Sequence, residues 1–244
     1  MTPPASRLPP HGFFVTGTDT GVGKTLISCA LLRALARRGL RAVGMKPVAA
    51  GATMQDGRLV NEDVTALKAA GNVEVPDELV NPYCFAPPIA PHLAAAEAGV
   101  AIDLRRLENA CTRLATLADC VVVEGAGGFR VPLGPDLDTA DLASRLRLPV
   151  ILVVGMRLGC INHALLTAAA VESAGLSLAG WVANHIDPDM LHATGNVKTL
   201  QDRLSAPLLA RVAYSADRNA SDADKLDIDA LYCMRQNGMS GADR

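Results

Sequence analysis

The residues best placed to do chemistry lie in TGTDTGVGKT, Thr16 to Thr25. In such a glycine-spaced loop successive backbone N–H groups point at an anion, and the helix N-terminus behind them adds its dipole. Lys24 then reaches the outer phosphates of a nucleotide, and the Thr25 hydroxyl ligates Mg2+. The usual pattern leaves four residues between the two glycines. Here five residues separate Gly17 from Gly23, and Thr18 stands where a glycine is usual. The stretch follows the apolar run GFFVTG and opens LISCALLRAL, which is the strand–loop–helix context that a phosphate loop requires.

A phosphate loop gives nucleotide binding and not function. Two further stretches narrow the chemistry. In CVVVEGAGG, Glu124 ends an apolar run, and a carboxylate there suits a hard cation; the plain alternative is an ordinary strand-end acid. In GMKPVAAG, Lys46 also ends a strand candidate. Strand ends at the carboxyl edge of a parallel sheet converge on the ligand crevice. A second lysine there can neutralise a transferring phosphoryl group or an anionic substrate; the plain alternative is an exposed lysine at a turn.

The elements that must position these residues alternate along the chain. Strands are expected over 13–17, 41–48, 120–125, 150–155, 180–186 and 207–212, and helices over 25–38, 63–70, 103–117, 162–174 and 190–204. Gly39, Gly71 and Gly175 stop three of the helices. Residues 76–92 carry five prolines, with Asn81-Pro82 a turn signal, and read as a loop. Strands that are continuously apolar are buried on both faces. The expectation is α/β: a single-domain, doubly wound, mainly parallel sheet of the P-loop NTPase kind. That domain is expected over 12–236, after a leader over 1–11 and before a flexible tail over 237–244.

Net charge is −2 with no block of like charges, which speaks against a nucleic-acid surface or a polybasic membrane surface. No apolar run reaches membrane-spanning length, and MTPPASRLPPHG has no apolar core of a signal peptide. The cysteines, Cys29, Cys84, Cys111, Cys120, Cys160 and Cys233, form no CxxC pair and no zinc spacing. They are expected to be buried, reduced thiols of a cytoplasmic protein.

Together GTDTGVGKT, MKPVAAG, NPYCFAPPIAPH, VVVEGAGG, PVILVVGMRLGCINHALLT and AGWVANHI, in this order from about residue 13 to about residue 212, resemble the dethiobiotin synthetase family. The five-residue gap in the phosphate loop is itself a trait of that family. The resemblance implies an ATP- and Mg2+-dependent ligase of biotin synthesis, which joins CO2 (or bicarbonate) to 7,8-diaminononanoate through a carbamate and a carbamic–phosphoric anhydride. It implies catalytic roles for Lys24, Lys46 and Thr20, and a metal held by Thr25, Asp63 and Glu124. It implies an ATP site from Gly21, Val22, Gly23, Lys24, Thr25, Leu26, Asp63, Glu124, Gly125, Ala126, Gly127 and the adenine-recognising Asn184. It also implies a homodimer with the substrate at the subunit interface, met by Lys46, Ala50, Gly159, Cys160 and Asn162. Asp63 by itself reads as a helix N-cap, and so does Asn162.

Two positions depart from the family pattern. Ala50 stands where a hydroxyl residue is common, with Thr53 three residues on, and RVAYSAD follows the last strand where a proline is common. A switch ATPase of the MinD/ParA type shares the Gly-Lys-Thr but carries a signature lysine early in the loop; here those positions are Thr18, Asp19 and Thr20. An amidotransferase-like cobalamin synthetase carries a further glutaminase domain, for which 244 residues leave no space.

Overall fold

Strands and helices alternate through the computed structural model, which describes residues 12–215 and 225–233. β1 (Gly12–Gly17) leads to α1 (Lys24–Arg37), β2 (Ala42–Met45) and a short β3 (Val48–Ala49). A hairpin of β4 (Thr53–Gln55) and β5 (Arg58–Val60) follows, then α2 (Glu62–Ala70), α3 (Asp77–Val80), β6 (Tyr83–Cys84) and α4 (Pro91–Glu97). The remainder is α5 (Leu104–Leu117), β7 (Cys120–Glu124), α6 (Thr139–Leu146), β8 (Val150–Met156), α7 (Cys160–Ser173), β9 (Leu178–His185), α8 (Ala193–Arg203), β10 (Leu208–Val212) and α9 (Asp229–Cys233). Six strands form the main sheet in the order β10-β9-β8-β1-β7-β2, and every pairing in it is parallel. The leader over 1–11 and the tail over 237–244 lie outside the described residues.

The continuously apolar strands are explained by the two cores. Neighbouring residues on a strand point to opposite faces. Phe14, Val121, Val123, Leu152 and Trp181 face one core with Leu107, Leu114 and Ala164. Phe13, Val15, Val122, Ile151 and Val153 face the other with Ile27, Leu31 and Leu35 of α1. Each fully buried side chain of this kind contributes about 1.5–3 kcal/mol of transfer free energy. Cys29, Cys111, Cys120 and Cys160 are buried in these cores as free thiols. Burial raises the Cys29 and Cys111 thiols to about 11 and Cys120 to about 12.

Several boundaries differ from those expected, each for a local reason. The second strand ends at Met45 rather than at 48, because Pro47 has no N–H to give the ladder and Lys46 N donates instead to Val80 O at 2.8 Å. The proline-rich 76–92 segment is not only loop. Pro76 caps α3 and Pro91 opens α4, places where a fixed φ and a missing N–H cost nothing. Between them β6 pairs with β3. α7 starts at Cys160, two residues before the expected start, because Gly159 at φ 95 takes the left-handed cap. α8 starts later than expected, after His192 at φ 54.

Candidate nucleotide and cation site

The carboxyl ends of β1, β2 and β7 meet because β7 lies between the other two in a parallel register, with Val15 opposite Glu124 and Met45 opposite Val123. The phosphate loop leaves β1, Lys46 leaves β2 and Glu124 ends β7. Residues distant in sequence therefore converge at one edge, as expected for a ligand crevice of an open parallel sheet.

The loop is held by its own polar groups and by β8 and the residue after it. Thr18 N donates to Val153 O at 3.0 Å, and Gly155 N donates to Thr18 Oγ1 at 3.2 Å. Asp19 Oδ1 accepts from Thr20 N at 2.7 Å, while its Oδ2 takes Arg157 Nη2 at 2.5 Å. Lys24 Nζ donates to Asp19 O at 2.9 Å, across the concavity that an anion would fill. Gly21 and Gly23 have φ of 75 and 91, conformations that glycine adopts without a Cβ penalty. Asn184, at the end of β9, donates Nδ2 to Val22 O at 2.8 Å. Gly127 brings its backbone against Thr20, whose Oγ1 would lie 3.4 Å from a Cβ at that position. Ala126 is half-buried, as is Leu26 in the first turn of α1. Gly125 differs: it is buried and its N–H is bonded to Val15 O at 3.0 Å, and a Cβ would meet the Phe14 ring at 3.2 Å. Packing accounts for that glycine.

Beside the loop, Thr25 Oγ1 lies 2.8 Å from Asp63 Oδ1 and 2.9 Å from Glu124 Oε1, so one hydroxyl proton serves two carboxylates. Lys46 Nζ is 2.5 Å from Glu124 Oε1 and 3.1 Å from Asp63 Oδ2. Glu124 is fully buried and Lys46 is 5% exposed, which removes the reading of Lys46 as an exposed turn lysine. Asp63 is not the cap of α2. Asn61 is, with its Oδ1 accepting from Asp63 N and Val64 N, and that leaves the Asp63 carboxylate to face the site. Burial pushes Lys24 down to about 8, Lys46 adding to the drop while Glu124, Asp63 and Asp19 oppose it. Burial alone would lower Lys46 too, yet Glu124 and Asp63 outweigh it and hold the ammonium above its ordinary range. Burial works to raise Asp63, but Lys46, Thr25 and Lys24 pull it below the usual carboxylate range.

These oxygens fit a hard cation. Glu124 Oε2 is buried and no protein group donates to it, so a lone pair is left for a metal. Among the described residues no cluster of three or more His, Cys, Asp or Glu forms a complete metal site. Two carboxylates and a hydroxyl suit Mg2+, whose remaining ligands come from phosphates and waters.

Residues 11–221 match a family described as an AAA domain. The ATP-dependent dethiobiotin synthetase BioD of Aromatoleum aromaticum is 56% identical to this chain over 207 residues, which is 85% of this chain and 92% of that one. This chain belongs to the dethiobiotin synthetase family. With the family comes its class, ligases that form carbon–nitrogen bonds. Solved structures with the same fold include MinD of Aquifex aeolicus, at a TM-score of 0.55 and 16% identity over 94% of this chain and 98% of that one. MinD of Pyrococcus horikoshii with Mg-ADP follows at 0.53 and 16%, over 95% and 97%. A ParA family ATPase of Chlorobium tepidum gives 0.54 and 12%, over 91% and 98%. Identities this low show a shared P-loop architecture alone and carry no activity over.

The remaining residues that the dethiobiotin synthetase resemblance singled out lie on other elements. Ala50 is half-buried and its carbonyl accepts from Asn61 Nδ2 at 3.2 Å. Thr53 is exposed on the β4–β5 hairpin, where its Oγ1 accepts from Gln55 Nε2. Gly159 and Cys160 begin α7, but the Cys160 side chain is buried and its N–H donates to Arg157 O at 3.0 Å. Asn162 is the third helical residue and exposed, not the cap. Of the last strand's end, Val212 is buried and Tyr214 is 48% exposed. Sequence reasoning missed Asn81, whose Nδ2 donates to Lys46 O at 2.6 Å and to Tyr83 O at 2.9 Å, pinning the lysine's backbone at the strand break. The Asn81-Pro82 turn signal and the family-like stretch NPYCFAPPIAPH both pointed to it. Arg157, which grips Asp19, lies in the family-like stretch PVILVVGMRLGCINHALLT, and nothing in that stretch pointed to the loop.

Proposed function

We propose that this protein is the ATP- and Mg2+-dependent dethiobiotin synthetase of biotin synthesis. The observation that carries the proposal is the convergence of Lys24, Lys46, Thr25, Asp63 and Glu124 at one sheet edge, in a chain of this family. One amine of 7,8-diaminononanoate attacks CO2, forming the carbamate and releasing a proton. The carbamate oxygen attacks the γ-phosphorus of ATP, and ADP leaves. The second amine attacks the carbonyl of the resulting carbamic–phosphoric anhydride, phosphate leaves, a proton is lost, and the ureido ring is closed.

The residues do what their chemistry allows. Lys24 and Lys46 hold the phosphoryl and carbamate charges near each other and in line, which is where most of the rate enhancement in phosphoryl transfer arises. Thr20 and Gly127 line the adjoining wall. Thr25, Asp63 and Glu124 would hold Mg2+, which would neutralise phosphate charge there. Asn184, tied to the loop through Val22 O, presents its amide to the adenine edge. The start of α7, Gly159 to Asn162, receives the substrate carboxylate from the neighbouring subunit of a homodimer, since a helix N-terminus leaves donors for an anion. Support for that interface comes from exposed Leu158, 92%, and Leu166, 62%, beside it. With Ala50 in place of a hydroxyl residue, one contact worth about 1 kcal/mol is absent from the substrate site. The enzyme is proposed to be cytoplasmic; among the described residues no helix is long and apolar enough to cross a membrane.

The test is direct. Purified protein with MgATP, bicarbonate and 7,8-diaminononanoate should form dethiobiotin and ADP in equal amounts by mass spectrometry. ADP without dethiobiotin, or ADP that does not depend on the diamine, would sink the proposal. Glu124→Gln is expected to raise the Mg2+ concentration for half-maximal activity at least about tenfold, the effect of losing roughly 1.4 kcal/mol of charge-assisted contact. A Mg2+ titration that superimposes on the wild type would remove Glu124 from the cation site. Asn184→Ala is expected to reduce the preference for ATP over GTP about tenfold, one lost hydrogen bond; kcat/KM for each nucleotide measures it, and an unaltered ratio would move base recognition elsewhere.

A further inference from the structure

Lys46 is paired with the two carboxylates that a divalent cation would use. Its Nζ lies 2.5 Å from Glu124 Oε1 and 3.1 Å from Asp63 Oδ2, and the same two carboxylates share the Thr25 hydroxyl. A magnesium ion about 2.1 Å from the donor-free Glu124 Oε2 or from the Asp63 carboxylate would bring two positive charges against the ammonium held on the same carboxylates. Lys46 and Glu124 are both buried, so water does little to screen two cations brought together there. A metal arriving alone must push the ammonium off both carboxylates and leave it buried without a partner, which is strongly unfavourable. A metal arriving with a nucleotide brings phosphate oxygens that the displaced ammonium can face. The backbone of Lys46 is held by Val80 O and Asn81 Nδ2, so the exchange needs only rotation of the lysine side chain.

We infer that Lys46 is a place-holding cation. In the nucleotide-free protein it neutralises Asp63 and Glu124 and excludes a lone divalent ion, and it releases the carboxylates only to a metal that arrives with nucleotide phosphates, thereby turning its ammonium toward the reacting groups. The inference rests on the reading of Thr25, Asp63 and Glu124 as the cation-binding residues.

Mn2+ is the probe, titrated into nucleotide-free protein and followed by the electron paramagnetic resonance of the free ion. Wild type and Lys46→Arg should bind Mn2+ weakly and alike. Lys46→Ala and the volume-conserving Lys46→Met should bind it at least tenfold more tightly, and the added change Glu124→Gln should abolish the gain. The methionine form keeps the test open should the alanine form fail to fold. Mn2+ affinity in both variants no tighter than in the wild type overturns the inference. So does a gain that survives Glu124→Gln, because the ion then sits elsewhere. Repeating the titration with ADP separates the two readings. Weakened Mn2+ binding by Glu124→Gln there upholds the cation site even where place-holding fails, and indifference to Glu124→Gln takes both down.

Discussion

Lys46→Ala is expected to lower turnover on the order of 10²–10³-fold, the usual loss for one group that stabilises charge in a transition state. It is also expected to lower the melting temperature, which a change at an exposed lysine does not. Lys46 is 5% exposed and its partner Glu124 is fully buried, and removing one member of a buried pair leaves the other charge uncompensated. Breaking such a pair costs about 3–5 kcal/mol. The Thr25 hydroxyl, 2.9 Å from Glu124 Oε1, offsets part of that. A drop of roughly 10 °C follows from the usual 2–4 °C per kcal/mol for a domain of this size. The double variant Lys46→Ala/Glu124→Gln removes the stranded charge and should recover most of the melting temperature and none of the activity. Thermal melts and steady-state rates on the three proteins decide the matter. A single variant with near wild-type kcat ends the catalytic role, and one with an unshifted melt shows that Glu124 is satisfied without the lysine.

Gly23→Ala should weaken ADP binding about a hundredfold, nearly 3 kcal/mol, whereas Gly21→Ala should weaken it only several-fold. Both glycines have positive φ, so both substitutions carry backbone strain of about 1 kcal/mol or more. They differ in what the new methyl meets. At Gly23 a Cβ lands 2.2 Å from Asn184 Nδ2, while at Gly21 no heavy atom lies within 4 Å. Asn184 must give way, and with it goes the bond from Nδ2 to Val22 O that holds the loop. Gly23→Ala/Asn184→Ala should bind ADP about as weakly as Gly23→Ala alone, because the contacts of Asn184 are lost in both. Calorimetric titration with ADP reads all four proteins; equal losses at the two glycines would show that the contact with Asn184 plays no part.

The elements legible in the sequence were those whose pattern is local. The apolar runs of β1, β7, β8 and β9 and the glycine stops after α1 and α7 each sit within a few residues of one another, so neighbouring chemistry suffices to read them. Of the segments that escaped, β3, the β4–β5 hairpin, α6 and α9 are each under nine residues long, and α3, β6 and α4 lie where prolines dominate the composition. Proline forbids an interior N–H bond and tolerates a first helical turn, so a loop and a string of short elements look alike until their partners are known. Helix starts escaped for a similar reason: Asp63 and Asn162 have capping side chains, but Asn61 and Gly159 hold the capping positions.

The sequence by itself determined the phosphate loop, the alternation that makes a parallel sheet, and the family, because each is carried by contiguous residues in a fixed order. The tertiary structure decided which charges meet. Thr25 and Glu124 are 99 residues apart, Lys46 and Glu124 are 78 apart, and Val22 and Asn184 are 162 apart. Sheet order and register bring them within hydrogen-bond distance, and that order is set by the packing of both faces rather than by any local signal. Burial, decided at the same level, turns a lysine and a glutamate at strand ends into a pair that water does not screen.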